Sequence, residues 1–456
     1  MTIQFRRKLL AFFILLFIVF GAGIVLYSQG YRLDMGTFSV TKIGAIYIES
    51  YQNPITIYLN DTVYKDKTGI LTKGTLISSV IPKKYQLTIR KDGFYDYQKN
   101  IEVLPSQVVR FFNVLLVPKE IASTTIVLTS STNQTIDDIT SSAILTHLST
   151  AKGTQWFLYP LTQSATQASS TTSTPLAKTL ASVSRQKFGS VLLYNSPSQL
   201  LATTSAGMYK ITTGAKTASQ LIANNSFFAY AYTMQDGNLL SVVPQPQPAP
   251  TTTPLKTAVK TKQIKDTNPL ASLTRININS GASTTLSFVQ PHKVKDIQLI
   301  TEKDNLIAFI TVDKSLILFN TDKNTETIIS KNVVSALFSP DNNKLLYREP
   351  NGKTHIYFIK NELETADARA GDDIILSLNN ISAIHTILWY QDSAHLLLFY
   401  PSHITLAEMT KKQPNNQFTL WRETYNKTFY ANDTNILTIS TPLNKIYQID
   451  LKLFTK

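Results

Sequence analysis

The chain repeats itself, and the repeated unit is a strand, a polar turn and a second strand. Ala336-Leu-Phe-Ser-Pro-Asp-Asn-Asn-Lys-Leu-Leu-Tyr347 and Ile387-Leu-Trp-Tyr-Gln-Asp-Ser-Ala-His-Leu-Leu-Leu398 align without a gap, 51 residues apart. Ile297-Gln-Leu-Ile-Thr-Glu-Lys-Asp-Asn-Leu-Ile-Ala308 aligns with the first of them at a separation of 39 residues. Apolar runs either side of a polar cluster centred on an acid read as paired strands. A third strand follows each unit, at residues 316–319, 356–359 and 404–406, and a last one falls at 446–449. Weaker copies lie at 191–201 with 208–211, and at 229–232 with 238–242. A repeat of about 40–50 residues with several strands is the signature of a β-propeller. One four-stranded sheet cannot bury both faces alone, whereas radial packing against two neighbours buries them and shields the edges. Six or seven blades are expected over residues 120–456, beginning near Ile126.

Composition agrees with an all-β protein. Of 456 residues, 43% are hydrophobic and only 16% charged, which excludes a charge-driven disordered chain. The 16 glycines exclude a collagen-like polymer. Tyr and Phe number 21 and 22, and such residues suit half-buried pleated surfaces. Two stretches break the pattern. Residues 163–175 are Ser/Thr-rich, and 244–269 are rich in Pro, Thr and Lys; both read as low-complexity loops inserted in the propeller. A polyproline ligand for a partner is the alternative reading of the second. The Phe338-Ser-Pro-Asp341 turn resembles the motif of the Tol-system type of periplasmic propeller.

Residues 9–26 read LLAFFILLFIVFGAGIVL, without a charge or a proline. At about 1.5 Å per residue a helix of this length covers about 27 Å, close to the hydrocarbon thickness of a bilayer. Arg6, Arg7 and Lys8 precede it with no acid beside them. The positive-inside rule then makes residues 1–8 a cytoplasmic basic tail, residues 9–27 a signal-anchor helix and the bulk extracytoplasmic. Tyr27 and Tyr31 fit the aromatic belt of the outer interface. A cleaved signal peptide at Gly21-Ala22-Gly23 is the competing reading, but apolar residues resume at Ile24.

Between anchor and repeats, residues 40–118 carry short alternating runs: Ile43-Gly-Ala-Ile-Tyr-Ile-Glu, Ile55-Thr-Ile-Tyr-Leu, Tyr85-Gln-Leu-Thr-Ile-Arg, Asn100-Ile-Glu-Val-Leu and the apolar stretch 108–117. Separated by turn residues such as Lys91-Asp92-Gly93, they read as strands of a small sandwich. Ala45-Ile-Tyr-Ile-Glu-Ser50, Pro54, Tyr58-Leu-Asn60, Ile81-Pro82, Tyr85 to Gly93-Phe94 and Asn113-Val-Leu-Leu116 together resemble a PEGA domain, a small surface-associated module of microbial envelope proteins. The chain departs from that pattern where Ile55-Thr56 follow Pro54 and where Lys83-Lys84 stand at the usual Pro-Gly turn. The resemblance implies an adhesion or spacer element without catalysis, in reach of cell-surface carbohydrate.

Charge and motif content narrow the function. The formal charge is +14 without a long basic tract, so no nucleic-acid partner is expected. Surface solubility accounts for a diffuse excess, and weak attraction to anionic envelope polymers is the alternative. With no cysteine, thiolate chemistry is excluded. There is no His-Glu-x-x-His, no Gly-x-Ser-x-Gly and no phosphate loop, so no catalytic residue, metal or cofactor is expected. The six histidines (147, 292, 355, 385, 395 and 403) show no ligand spacing and read as structural or surface residues. Asp322-x-Asn324-x-Glu326 lacks the rest of a calcium loop and reads as a turn. Asp341 and Asp392, between paired strands, read as acceptors of backbone hydrogen bonds. Tyr95 and Tyr97, beside a turn, are expected to be exposed and are the candidate ligand contacts. The expected protein is a non-catalytic, single-pass envelope protein binding another protein or a polysaccharide. The alternative is an extracytoplasmic propeller hydrolase or lyase using carboxylates.

Overall fold

A computed structural model describes residues 3–34, 39–69, 72–127, 135–140, 143–150, 153–161, 174–175, 188–194, 196–204, 206–212, 218–224, 228, 231–235, 237–245, 268–362, 368–410, 414–442 and 445–454. Most of both low-complexity stretches, at 163–173 and 246–267, lies outside them.

The first element is the helix Ile3–Ser28, whose span Arg7–Ser28 is long and apolar enough to cross a membrane and has no part buried against the protein. Its C-terminal end is closed by Arg32, which donates from Nη1 to the carbonyls of Tyr27 and Tyr31. The same guanidinium lies 3.4 Å from the centre of the Tyr27 ring, and the Lys42 ammonium lies 5.3 Å from that of Tyr31. A cation at a helix C-terminus meets the negative end of the dipole and orphan carbonyls together. The hairpin Tyr31–Asp34 with Ser39–Lys42 then leads into the sandwich.

Two sheets make the sandwich. Gly44–Ser50 is the centre of a three-stranded sheet, antiparallel to Thr75–Val80 and parallel to Val108–Val114. The second sheet is antiparallel, in the order Thr62–Lys65, Thr56–Leu59, Lys84–Arg90, Tyr97–Glu102. Alternate residues of each strand point inward. Ile46 and Ile48 from one sheet thus meet Ile57, Leu59, Leu87 and Ile89 from the other in one core.

Beyond it the described residues form seven four-stranded antiparallel sheets. Blade 1 is Thr135–Ile139, Ala143–Thr150, Gly153–Pro160 and Thr174–Pro175; blade 2 is Phe188–Tyr194, Ser196–Thr204, Gly207–Thr212 and Ala218–Asn224. Blade 3 is Tyr232–Gln235, Asn238–Pro244, Ala271–Asn277 and Ser283–Ser287; blade 4 is Ile297–Lys303, Leu306–Thr311, Leu316–Asn320 and Thr325–Ser330. Blade 5 is Ser335–Phe338, Lys344–Arg348, Thr354–Phe358 and Asp373–Ile375; blade 6 is Thr386–Trp389, His395–Phe399, Ile404–Glu408 and Gln417–Trp421. Blade 7 takes Lys427–Ala431, Ile436–Ser440 and Lys445–Asp450 from the end of the chain and Ser123–Val127 as its fourth strand.

The ring follows from the cores. Every interface between neighbouring blades has its own buried apolar cluster, including the one that joins blade 7 (Ile126, Ile446) to blade 1 (Ile136, Ile144). Leu306–Thr311 shows why the strand is apolar throughout. Leu306, Ala308 and Ile310 face blade 5, while Ile307 and Phe309 face blade 3. A strand buried on both faces loses its polar alternation.

Two details differ from the sequence reading. Ile126 does not open blade 1 but closes blade 7, paired with Ile446. The gapless alignment at a separation of 39 also fails at the turn. Blade 4 closes its first hairpin with two residues, Asp304-Asn305, whereas in blades 5 and 6 Phe338 pairs with Leu345 and Trp389 with Leu396 across longer turns.

Candidate functional site

Because strands alternate in direction within a blade, all 1–2 and 3–4 turns fall on one face of the ring. The 2–3 turns and the connections between blades fall on the other. The sandwich sits on the first of these faces, over blades 5 and 6.

The seam is built on Lys99, in the edge strand Tyr97–Glu102. Period-two geometry turns it to the same side as Tyr97 and Ile101, and its side chain is 0% exposed. A buried ammonium requires a partner. Glu408, at the end of the third strand of blade 6, supplies one at 2.7 Å, and the Pro414 carbonyl accepts a second bond at 2.7 Å. Burial lowers the Lys99 pKa despite the opposing pull of Glu408. The other Glu408 oxygen accepts from the Tyr97 hydroxyl at 2.8 Å; burial, and then that carboxylate, drive the phenol pKa well up. Asn416 completes the seam, accepting from the Gln98 amide and donating to the Gln98 carbonyl, both at 3.2 Å. One side-chain amide thereby pairs the backbone of an otherwise open sheet edge.

The connection itself is packed. Leu115, Leu116 and Val117 are all buried, and Leu115 and Val117 belong to the core between blades 6 and 7. The Leu116 amide donates to the Gln52 side chain at 2.8 Å. Sandwich and propeller are joined by solid packing, not by a free linker.

Beside the seam is a polar cleft of about 380 Å³, lined by Arg110 to Asn113 of the sandwich and by turns of blades 5 and 6. Asp341 and Asp392 occupy equivalent repeat positions in it. Asp341 accepts from the Ser339 hydroxyl at 2.6 Å and the Asn343 amide at 3.1 Å; Asp392 accepts from the amides of Ala394 and His395 at 2.9 and 3.0 Å. These are the turn-stabilising bonds expected of them. Three residues on, Lys344 and His395 are also equivalent, and each pairs back to its own acid, at 3.1 and 2.7 Å. Lys344 bonds Glu362 as well. Burial raises the Asp341 pKa, but Ser339 and Lys344 outweigh it and hold the carboxyl below its usual range. Burial also pulls the His395 imidazolium down; Asp392, and Glu408 behind it, outweigh that, so its pKa stands above the ordinary histidine value. The cleft can hold charge and exchange protons, yet these carboxylates are already engaged by neighbours.

Tyr97 is therefore a correction: expected to be exposed, it is 2% exposed, because its ring packs into the sandwich core and its hydroxyl is covered by Glu408. Tyr95 is half-buried, its ring 5.8 Å from that of Phe418 in blade 6. Arg6, Arg7 and Lys8 lie in the first turns of the helix, and Tyr27 and Tyr31 at its far end. Among the described residues no cluster of three or more His, Asp or Glu could hold a metal ion. The Asp322-x-Asn324-x-Glu326 segment spends its oxygens locally, Asp322 on Asn305 at 2.6 Å and Glu326 on the Val289 amide at 2.7 Å and His292 at 3.0 Å. Lys99 and Glu408 were missed in the sequence. The signal available was a lysine at an inward register position between Tyr97 and Ile101.

No family model matches the chain, and no curated protein matches it. Among solved structures, an oligogalacturonate lyase from Vibrio parahaemolyticus is 11% identical with a TM-score of 0.46, over 73% of this chain and 97% of that one. A virginiamycin B lyase from Staphylococcus aureus is 14% identical with a TM-score of 0.42, over 73% of this chain and 100% of that one. PorZ of Porphyromonas gingivalis, a bacterial surface component of the type-IX secretion system, is 8% identical with a TM-score of 0.41, over 72% of this chain and 37% of that one. At these scores the likeness adds nothing to the fold derived above.

Proposed function

We propose that the chain is a non-catalytic, single-pass membrane protein whose sandwich and propeller lie outside the cytoplasm and whose propeller binds an envelope protein or polysaccharide. The apolar helix and its one-sided Arg6, Arg7 and Lys8 support the topology. The PEGA-like residues of 40–118 support an envelope setting. The observation that carries the reading is the seam. With Lys99 buried on Glu408 and residues 115–117 packed into the propeller, the sandwich is a rigid seat rather than a free adhesin. It covers the turn face of blades 5 and 6, and among the described residues no part of the sandwich lies on the opposite face. The pairing of Asp341, Glu362, Asp392 and Glu408 with cations supports a structural role for the cleft.

Two measurements test this. Protease added to intact, osmotically protected cells should digest the propeller, and a carbonate wash should leave the full-length chain in the membrane fraction. A propeller protected until the cells are lysed overturns the topology. A full-length preparation that cleaves envelope glycans, and loses that activity on Asp392→Asn, would replace binding by catalysis.

A further inference from the structure

Twelve described non-glycine residues have positive φ. Eleven are Asn, Asp or Ser, whose short polar side chains bond locally and tolerate this region. The twelfth is Lys314, at φ 63°, for which a left-handed conformation costs on the order of 1 kcal/mol; its amide donates to the Thr311 carbonyl at 2.8 Å, but its side chain is not one of the short polar kind that bonds its own turn. Backbone strain of this kind points to a role for the side chain.

Lys314 is the exposed tip of the 2–3 turn of blade 4, on the face away from the sandwich. The turn is fixed by its own hydrogen bonds: Asp313 accepts from the hydroxyls of Thr311 at 2.5 Å and Ser315 at 2.7 Å, and those bonds hold its carboxyl below the usual range. On one side, the Val312 amide donates to the Asp296 carbonyl at 2.7 Å, which sets the turn beside Lys293 and Lys295 of the preceding connection. On the other, the Val333 amide donates to the Lys314 carbonyl at 2.8 Å, which sets it beside Lys331 of the next connection. Val294 and Val333, both 0% exposed, pin the two connections to the ring. All four lysines are exposed, and none forms an ion pair among the described residues. Acids near the strip are engaged by neighbours: Asp313 is turned into its own turn, Asp296 accepts from Asn268 at 3.1 Å, and Glu349, in the 2–3 turn of blade 5, bonds Asn351 at 3.0 Å and His355 at 3.1 Å. The exposed side chains of Val312 and Val334 lie among the lysines.

We infer that Lys293, Lys295, Lys314 and Lys331 form a docking strip for a carboxylate-bearing polysaccharide on the free face of blades 3 to 5. Ammonium groups on flexible stems match single charges repeated along a polymer, and the valines offer apolar contact to the C–H faces of its sugars. This deepens the proposed function and rests on its placing the propeller outside the cytoplasm.

The test uses the full-length chain in detergent micelles, with immobilised alginate as probe and neutral dextran as control. Wild type should bind alginate, not dextran, with affinity falling as salt rises. Changing all four lysines to Gln should weaken binding at least about tenfold at low salt. Lys314→Asn separates binding from folding. It should weaken alginate binding about threefold while leaving the thermal midpoint unchanged or higher, because Asn suits the left-handed position. Wild type that ignores alginate, or a quadruple variant that binds it as wild type does, overturns the inference. So does loss of binding on Lys65, Lys67 and Lys73→Gln of the sandwich with the strip intact. Binding in micelles is read independently of topology, so failure of the strip and failure of the proposed topology are told apart.

Discussion

Replacing Glu408 with Ala removes the carboxylate that pairs with Lys99 at 2.7 Å, along with the acceptor of Tyr97 and one acceptor of Asn416. Lys99 then keeps the Pro414 carbonyl but has lost the carboxylate that balances its charge. Removing one member of a buried ion pair costs about 3–5 kcal/mol. Glu408 is 15% exposed at the mouth of the cleft, so water reaches the gap and the lower end applies, about 3 kcal/mol. Deprotonation of Lys99 caps the cost, at about 5 kcal/mol at pH 7 from the ordinary lysine value, and lowers that cap as pH rises. A loss of 3 kcal/mol is roughly a 100-fold shift toward the undocked state. The readout is hydrogen exchange on the full-length protein in micelles. The Gln98 amide, which donates to Asn416, should exchange roughly 100-fold faster, while amides of Leu306–Thr311 in blade 4 stay unchanged. Lys99→Met with Glu408→Leu should recover most of the protection, since an apolar replacement of a buried pair is often neutral or better. Exchange at Gln98 within threefold of wild type in the single variant would refute the assignment of the seam to this pair.

His395 should give the seam a pH dependence: its pKa is raised in the fold, so its contribution is full below about 6.5 and is lost as pH rises through the folded value. His395→Gln should flatten that slope in the same exchange experiment. Trp389, 2% exposed and donating from Nε1 to the Leu337 carbonyl at 3.1 Å, joins blades 5 and 6; Trp389→Ala should cost about 3–5 kcal/mol in denaturant unfolding. A Cβ at Gly44 would lie 2.5 Å from Val103 Cγ1 and 2.6 Å from the Leu104 carbonyl, so Gly44→Ala should destabilise the sandwich by about 1–3 kcal/mol, seen as a lower unfolding midpoint.

The strongest repeats were legible because blades 5 and 6 keep the same turn and register, Phe338 with Leu345 and Trp389 with Leu396. The blade count was not. Ser123–Val127 pairs with Lys445–Asp450 across more than three hundred residues, and no local pattern in either strand announces a partner so distant. Asp341 and Asp392 were legible as turn acids, since their bonds are made within the turn. Tyr97 was misread because the turn before it was weighed above its inward register: its ring packs in the sandwich core, and the acceptor of its hydroxyl, Glu408, lies more than three hundred residues away. Lys99 could have been found. Alternation placed it on the apolar side of its strand, and a charge there demands a counter-charge from elsewhere.

That demand also reinterprets the net charge. Residues 28–119 carry 12 basic and 7 acidic side chains, and this basic body sits on blade turns bearing Asp341, Glu362, Asp392 and Glu408. Asp341, Glu362 and Asp392 are paired within the propeller, so the charge complementarity across the seam is carried by Lys99 and Glu408. Hydrogen bonds of fixed geometry then hold it: Lys99 with Glu408, Gln98 with Asn416. If the seat is rigid, the direction in which the other face looks is set by the fold rather than by a linker, and the strained Lys314 turn stands on that face. A seam variant and a strip variant should therefore fail differently. Opening the seam leaves polymer binding in micelles intact and frees the propeller from the sandwich, whereas neutralising the strip leaves the seam protected and weakens binding.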